Sequence, residues 1–165
     1  GVNYHVSHPD FRITHEKSEK CVYPLEDDIY AKILVLRYLL NASVFPHNGE
    51  FRAYRELPAG DLYNRQFQGR CIYRLNREYG NRLETIEQIM DELDAVPVNM
   101  ADKGYELEIF EDLYLRFLFW KGDEEFPASF QILFSSNFPA AFDTYDLAEI
   151  CEICICTFEK IERKL

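Results

Sequence analysis

Ile29, Ile33, Leu36 and Leu40 fall at i, i+4, i+7 and i+11, a spacing that predicts a helix ending near Asn41 with these four as its buried stripe. Glu26, Asp27 and Asp28 set negative charge at its start, where it complements the helix dipole. Upstream, residues 1–23 read as extended, with Phe11-Arg12-Ile13 alternating and Cys21-Val22-Tyr23 forming a short apolar run before Pro24. Pro46-His47-Asn48-Gly49 is a turn, and Glu50 to Gly60 reads as irregular. From Asp61 the period becomes helical again. Tyr63, Phe67, Cys71 and Leu75 are spaced by four, with Ile72 and Tyr79 alongside. Gly69 in the middle either breaks this segment or admits another backbone closely. After Gly80, Asn81 and Glu84 have the spacing of a capping box for a helix carrying Leu83, Ile86, Met90 and Leu93.

Beyond Pro97 the period drops from about four to two. Tyr105-Glu106-Leu107-Glu108-Ile109 alternates as a half-buried strand does. Leu113 to Trp120 is apolar on both faces, which predicts a central strand or a contact surface. A further strand runs from Ser129 to Phe134. The chain closes on a long helix with Leu147, Ile150, Cys151, Cys154, Phe158, Ile161 and Leu165 as its stripe and Asp146 and Glu149 at its start. These elements predict one α+β domain over residues 1–165: an antiparallel meander at about residues 105–134, packed by N-terminal helices and a long C-terminal helix.

Composition adds limits. The longest nearly uncharged run, Ile33 to Leu40, is interrupted by Arg37 and is too short for a membrane span, so no membrane partner is expected. The chain opens Gly-Val-Asn-Tyr-His, without the basic and apolar regions of a secretory signal. Five cysteines, an odd number, then read as reduced thiols in a cytoplasm. The net charge of −11 repels phosphate backbones and argues against nucleic acid as a partner. That charge is uneven: residues 1–80 carry 11 Lys and Arg against 10 Asp and Glu, and residues 81–165 carry 7 against 19. Arg52, Arg55, Arg65, Arg70, Arg74, Arg77 and Arg82 concentrate the positive charge, and their ordinary role is pairing with the acidic second half.

The chemistry-bearing motifs are few. Cys151-Glu152-Ile153-Cys154-Ile155-Cys156 resembles a metal or redox motif, but Cys151 and Cys154 sit in mid-helix on the apolar stripe with no second pair, so core packing is expected and no metal. His5, His8, His15 and His47 form no ligand set, and no catalytic residue emerges, since Cys71 lacks a partnering histidine. Two features remain as a candidate binding site. Arg52, Tyr54 and Arg55 combine guanidinium forks with an aromatic ring, a pairing able to clamp an anion and stack a planar group. Trp120, Asp123, Glu124 and Glu125 present three successive carboxylates after an aromatic strand, a set able to hold a hard cation or act as acid and base. Opposed across a cleft, the two would make one site.

Trp120-Lys121-Gly122-Asp123-Glu124-Glu125-Phe126-Pro127 followed by Ile132-Leu133-Phe134, the helix Ile33 to Leu40, the segment Phe51 to Leu57 with Gly60, and Arg70 together resemble the domain of unknown function 3786 (DUF3786) family. The resemblance runs from about Tyr4 to the final helix. It implies a short protein of anaerobic bacteria and archaea, of a kind joined in some members to cysteine-rich iron–sulfur segments that this sequence lacks, and longer relatives carry a leading segment. It supplies no activity, cofactor or catalytic residue. The leading expectation is therefore a non-enzymatic cytoplasmic module binding a small anionic ligand or a protein partner in anaerobic metabolism. The alternatives are a cation-dependent hydrolase or transferase using Asp123–Glu125, and a structural domain forming a homodimer through Leu113 to Trp120.

Overall fold

The computed structural model describes residues 3–15, 28–41 and 46–165. A two-stranded antiparallel hairpin, β1 (Tyr4–Val6) and β2 (Ile13–His15), precedes helix α1 (Ile29–Asn41). Strand β3 (Phe51–Ala53) leads through a 3-10 turn (Tyr54–Glu56) into α2 (Gly60–Phe67), a π-helical turn (Gln68–Ile72) and α3 (Tyr73–Tyr79). Helix α4 (Leu83–Glu92) is followed by β4 (Val96–Pro97), β5 (Lys103–Phe110), β6 (Leu113–Trp120) and β7 (Ser129–Ser135), and α5 (Thr144–Glu162) closes the fold. The main sheet is antiparallel in the order β3-β7-β6-β5-β4, so the meander expected from residues 105–134 is present and the fold is α+β.

Two-sided apolarity in β6 has the expected cause. Leu113, Leu115, Phe117 and Phe119 are fully buried on the helix side, where Phe158 of α5 meets Phe117 edge-on at 5.2 Å. On the other face Leu118 is buried, and Arg116 pairs with Glu106 directly across β5 at 2.8 Å. Both edges of β6 are occupied by β5 and β7, so its backbone offers no edge for a second chain.

Several local expectations are corrected. Helix α1 forms where the spacing put it, but Ile29, Ile33 and Leu40 are exposed, and Ala31, Leu34 and Val35 are buried instead. The helix is apolar nearly all round, so the sequence offers two stripes. Docking chooses between them: Arg37 pairs with Asp146 of α5, and Tyr38 stacks on Phe110 at 4.8 Å. Asp28 caps α1 through its Oδ1, which accepts from the Tyr30 and Ala31 N–H groups; Glu26, Asp27 and the run Cys21-Val22-Tyr23 lie outside the described residues. Helix α5 is capped by Asp143, whose carboxylate accepts the Asp146 N–H at 3.0 Å, rather than by Asp146 or Glu149. Asp146 is engaged by Arg37, while burial, then the neighbouring Asp143, raises its pKa against that pairing. Leu165 lies beyond α5 and is exposed. Helix α4 begins behind Arg82 with no side-chain cap, not with an Asn81–Glu84 box. Glu50 to Gly60, read as irregular, contains β3 and the 3-10 turn, both too short to leave a period.

The cysteines sit as the stripe indicated. Cys71, Cys151 and Cys154 are buried free thiols among the helices, and burial pushes Cys71 and Cys154 up to about 12 and Cys151 well above the usual thiol range. Among the described residues no group of three or more His, Cys, Asp and Glu side chains could hold a metal. Nor is any described helix long and apolar enough to cross a membrane.

Candidate functional site

The segment 51–60 is held in place by contacts that its own sequence prepares. Strand β3 pairs with β7 at Phe51–Ser135 and Ala53–Leu133, then the chain turns, and Glu56 accepts the Ala53 N–H at 2.8 Å to close the 3-10 turn. Tyr54 lies flat on Phe67 of α2, with centroids 4.0 Å apart and planes 2° from parallel, and its hydroxyl donates to the Thr144 carbonyl at 2.7 Å. Burial raises its phenol pKa, so it stays a donor. Ala59 turns the chain with φ at +58°, a left-handed conformation that costs a residue with a Cβ about 1 kcal/mol or more. Gly60 then starts α2 directly against the turn: a Cβ there would overlap the Tyr54 carbonyl oxygen and come within 3.0 Å of its carbon.

Between this turn, α2 and the start of β7 lies a cleft of about 110 Å³. Tyr54, Phe67, Ile72, Phe130 and Ile132 give it apolar walls, and Arg55, Asn64, Gln68 and Gln131 bring polar groups to it. Asn64 and Gln68 share one face at i and i+4 where α2 passes into the π turn. In that turn the Tyr73 N–H reaches back to the Gln68 carbonyl, an i to i+5 bond of the kind concentrated at functional sites. Gly69 neither breaks the helix nor receives a neighbouring backbone, since a Cβ there meets nothing within 4 Å. Asn64 Oδ1 is buried, with no accessible surface and no hydrogen-bond partner among the described residues. Among the described residues Arg55 makes no ion pair. A larger concavity of about 490 Å³, lined by Glu78, Arg82, Glu159, Glu162 and Arg163, is an open bowl with no apolar wall.

The remaining arginines act mostly as braces. Arg70 reaches Glu149 at 2.6 Å, Glu152 and the Tyr63 hydroxyl at 2.9 Å; Arg74 reaches Glu159 at 2.6 Å; Arg82 pairs with Glu162. Burial opposes the charge of Arg70, but its bonds to Glu149, Glu152 and Tyr63 outweigh that and raise its pKa. This ladder ties α3 and its π turn to α5, the ordinary pairing expected of the arginine-rich middle with the acidic second half. Arg77 instead pairs with its neighbour Glu78 at 2.7 Å.

A model of the family described as Domain of unknown function (DUF3786) matches residues 1–157 of the 165. The chain belongs to this family. No curated protein and no solved structure matches it. Of the segments that resemble DUF3786, Phe51 to Gly60 builds the wall of the cleft, Arg70 anchors the π turn to α5, and the tryptophan–acidic loop connects β6 to β7.

That loop is folded on itself. The Asp123 carboxylate accepts the Glu125 N–H at 2.8 Å and the Phe126 N–H at 2.7 Å, bonds that lower its pKa, while Glu124 and Glu125 are exposed. Gly122 fits only without a side chain, since a Cβ would come within 2.7 Å of the Ala128 nitrogen. Of the shared site expected of Arg52, Tyr54, Arg55, Trp120, Asp123, Glu124 and Glu125, the cleft takes in Tyr54 and Arg55 and none of the acidic loop. Arg52 is level with Leu115 across the sheet, five residues from Trp120, which is about 17 Å along the strands and two strands across. Its nearest carboxylate is Glu50, at 3.9 Å. Of the seven, Tyr54 and Arg55 line the cleft, and Tyr54 does so as a wall already stacked on Phe67. Asn64, Gln68, Phe130 and Gln131 gave no signal of their own in the sequence. Gly69, an unexplained glycine inside a helical period, was the one pointer to the π turn beside them.

Proposed function

We propose that the protein is a non-catalytic binding module whose cleft beside α2 holds a small anionic ligand. The observation that supports this is Arg55, an exposed guanidinium without an ion-pair partner among the described residues, at a cleft walled by Tyr54, Phe67, Phe130 and Ile132. Elsewhere in the arginine-rich middle Arg70, Arg74 and Arg82 are matched to glutamates of α5, while Arg65, like Arg55, makes no ion pair among the described residues. An unmatched cation beside apolar walls is an economical anion clamp, because the walls exclude water and strengthen a charge-assisted bond. The volume is close to that of a cavity holding a benzene, about 150 Å³, so the ligand or the group inserted has roughly five non-hydrogen atoms. Among the described residues the free, buried or half-buried thiols of Cys71, Cys151, Cys154 and Cys156 suit a reducing cytoplasm, and the family resemblance suggests an anaerobic prokaryote as the setting.

An NMR titration of the ¹⁵N-labelled protein with acetate tests the reading. Shifts should concentrate at Arg55, Asn64 and Gln68 with a dissociation constant on the order of 1 mM, the scale set by so few atoms. Arg55→Gln should weaken the response at least fivefold. No shifts, or the same shifts in Arg55→Gln, would refute it.

A further inference from the structure

We propose that the solvent face of α1 is a homodimer interface, on which a second copy of the chain packs its own α1 antiparallel. One side of this helix is committed to the fold: Ala31, Leu34 and Val35 are buried, and Tyr38 stacks on Phe110. The opposite side holds Ile29, Ile33, Leu36 and Leu40, the four residues whose spacing announced the helix. Steps of four, three and four are the repeat of a coiled-coil seam, with Ile33 and Leu40 at a positions and Ile29 and Leu36 at d. Tyr30 and Leu39 flank the seam at e and g. A helix that is apolar all round is one that is covered all round.

Area and charge name the occupant. Ile29, Tyr30, Ile33, Leu39 and Leu40 keep between 40% and 80% of their surface exposed. Counting about 200 Å² for each residue when bare, that leaves roughly 600 Å² per copy, the upper end of what a monomer carries. Two such stripes pressed together bury about 1,200 Å², the area at which specific dimers begin. The seam is also self-complementary. About a two-fold axis between Leu34 and Val35, Ile29 is level with the partner's Leu40, and Ile33 with the partner's Leu36. A parallel pairing would instead set Lys32, at g, against the partner's Arg37, at e, so that two cations meet. The antiparallel pairing puts Lys32 beside the partner's Leu39 and Arg37 beside the partner's Tyr30, whose ring attracts a guanidinium. Because the buried side already holds α1 in shape, a seam this short forms without the cost of ordering a helix. An anionic membrane or an acidic helix suits this face less: the chain carries a net charge of −11, and Arg37 is already paired with Asp146.

Sedimentation equilibrium of the wild-type protein should show a dimer with a dissociation constant on the order of 10 μM, the scale of a small interface. Ile33→Glu with Leu40→Glu sets like charges in the seam and should raise that constant by about a hundredfold or more, with an unchanged circular dichroism spectrum. Leu40→Glu alone, at the most exposed residue of the stripe, should raise it by about tenfold and decides the matter if the double variant does not fold. Mixed Ile29→Cys and Leu40→Cys proteins should form a disulfide-linked pair above the wild-type background on mild oxidation. More cross-linking by Ile29→Cys alone than by the mixture overturns the antiparallel arrangement. A wild-type protein that stays monomeric up to about 1 mM, or a dimer unmoved by either glutamate variant, overturns the interface. Binding of a monomeric protein to phosphatidylcholine–phosphatidylglycerol vesicles, lost in Leu40→Glu, assigns the stripe to a membrane and overturns the second copy.

Discussion

Replacing Gly60 with alanine adds one carbon at the first position of α2. In an open helix such a change stabilises by up to about 1 kcal/mol, because alanine gives up less backbone freedom on folding. Here the new Cβ would overlap the Tyr54 carbonyl oxygen, at 3.0 Å from the Tyr54 carbonyl carbon and 3.1 Å from that of Arg55. Both obstacles are backbone, so no side-chain rotation relieves the clash. The 3-10 turn cannot simply retreat, since the Tyr54 ring is stacked on Phe67 at 4.0 Å and its hydroxyl is bound to the Thr144 carbonyl. Relief must break one of these or shift α2. Overpacking of this kind costs about 1–3 kcal/mol, and the buried anchors put Gly60→Ala at the upper end, about 3 kcal/mol. For a chain of this length each kcal/mol lowers the melting temperature by about 2–4 °C, so a fall of roughly 6–12 °C is expected in calorimetry. Gly69→Ala is the internal control. Its Cβ meets nothing within 4 Å, and the variant should be neutral or slightly stabilised. Equal melting temperatures for the two variants would refute the argument that α2 is seated by close approach to the turn.

Arg70→Met should cost about 1–3 kcal/mol in urea unfolding, because it strands the carboxylates of Glu149 and Glu152; a loss below about 0.5 kcal/mol would show the ladder to be surface ornament. The Cys151→Ala and Cys154→Ala double variant should lose one to a few kcal/mol of stability and change no metal content by elemental analysis, whereas stoichiometric metal in the wild-type protein that disappears in the variant would overturn the core reading. Asp123 gives a pH signature. Two N–H bonds depress its pKa in the fold, so its contribution is full above the unfolded value of about 3.9 and is lost as pH falls through the folded one; the gap in urea midpoint between wild type and Asp123→Ala should narrow on acidification toward pH 3, and a gap that widens refutes the turn.

Much of this fold is legible along the chain, because the helices and the meander are each announced by a period. The strands β5, β6 and β7 are fixed by alternation and by the two-sided apolarity of Leu113 to Trp120, and the cysteine stripe of α5 is fixed by its 3.6 spacing. Local rules fail where two answers satisfy them equally. Helix α1 carries two apolar stripes, and only the docking of Arg37 and Tyr38 selects Ala31, Leu34 and Val35 for burial. The acidic loop shows the same ambiguity in charge. Asp123 reads as a ligand in sequence, yet the fold turns its carboxylate onto the loop's own backbone, a bond that depends on the loop's shape and not on its composition. The cleft is the clearest case. Arg52 and Arg55 stand out in the sequence among seven arginines, but which arginines go without an ion pair among the described residues depends on where the glutamates of α5 lie in three dimensions. Asn64, Gln68 and Gln131 are ordinary residues on unremarkable stretches, brought together because Gly60 lets α2 approach the turn and the i, i+4 spacing of the helix puts Gln68 on the face of Asn64. Periodicity reports what each element does for itself; a site made by the approach of three elements exists only once their distances are set by packing.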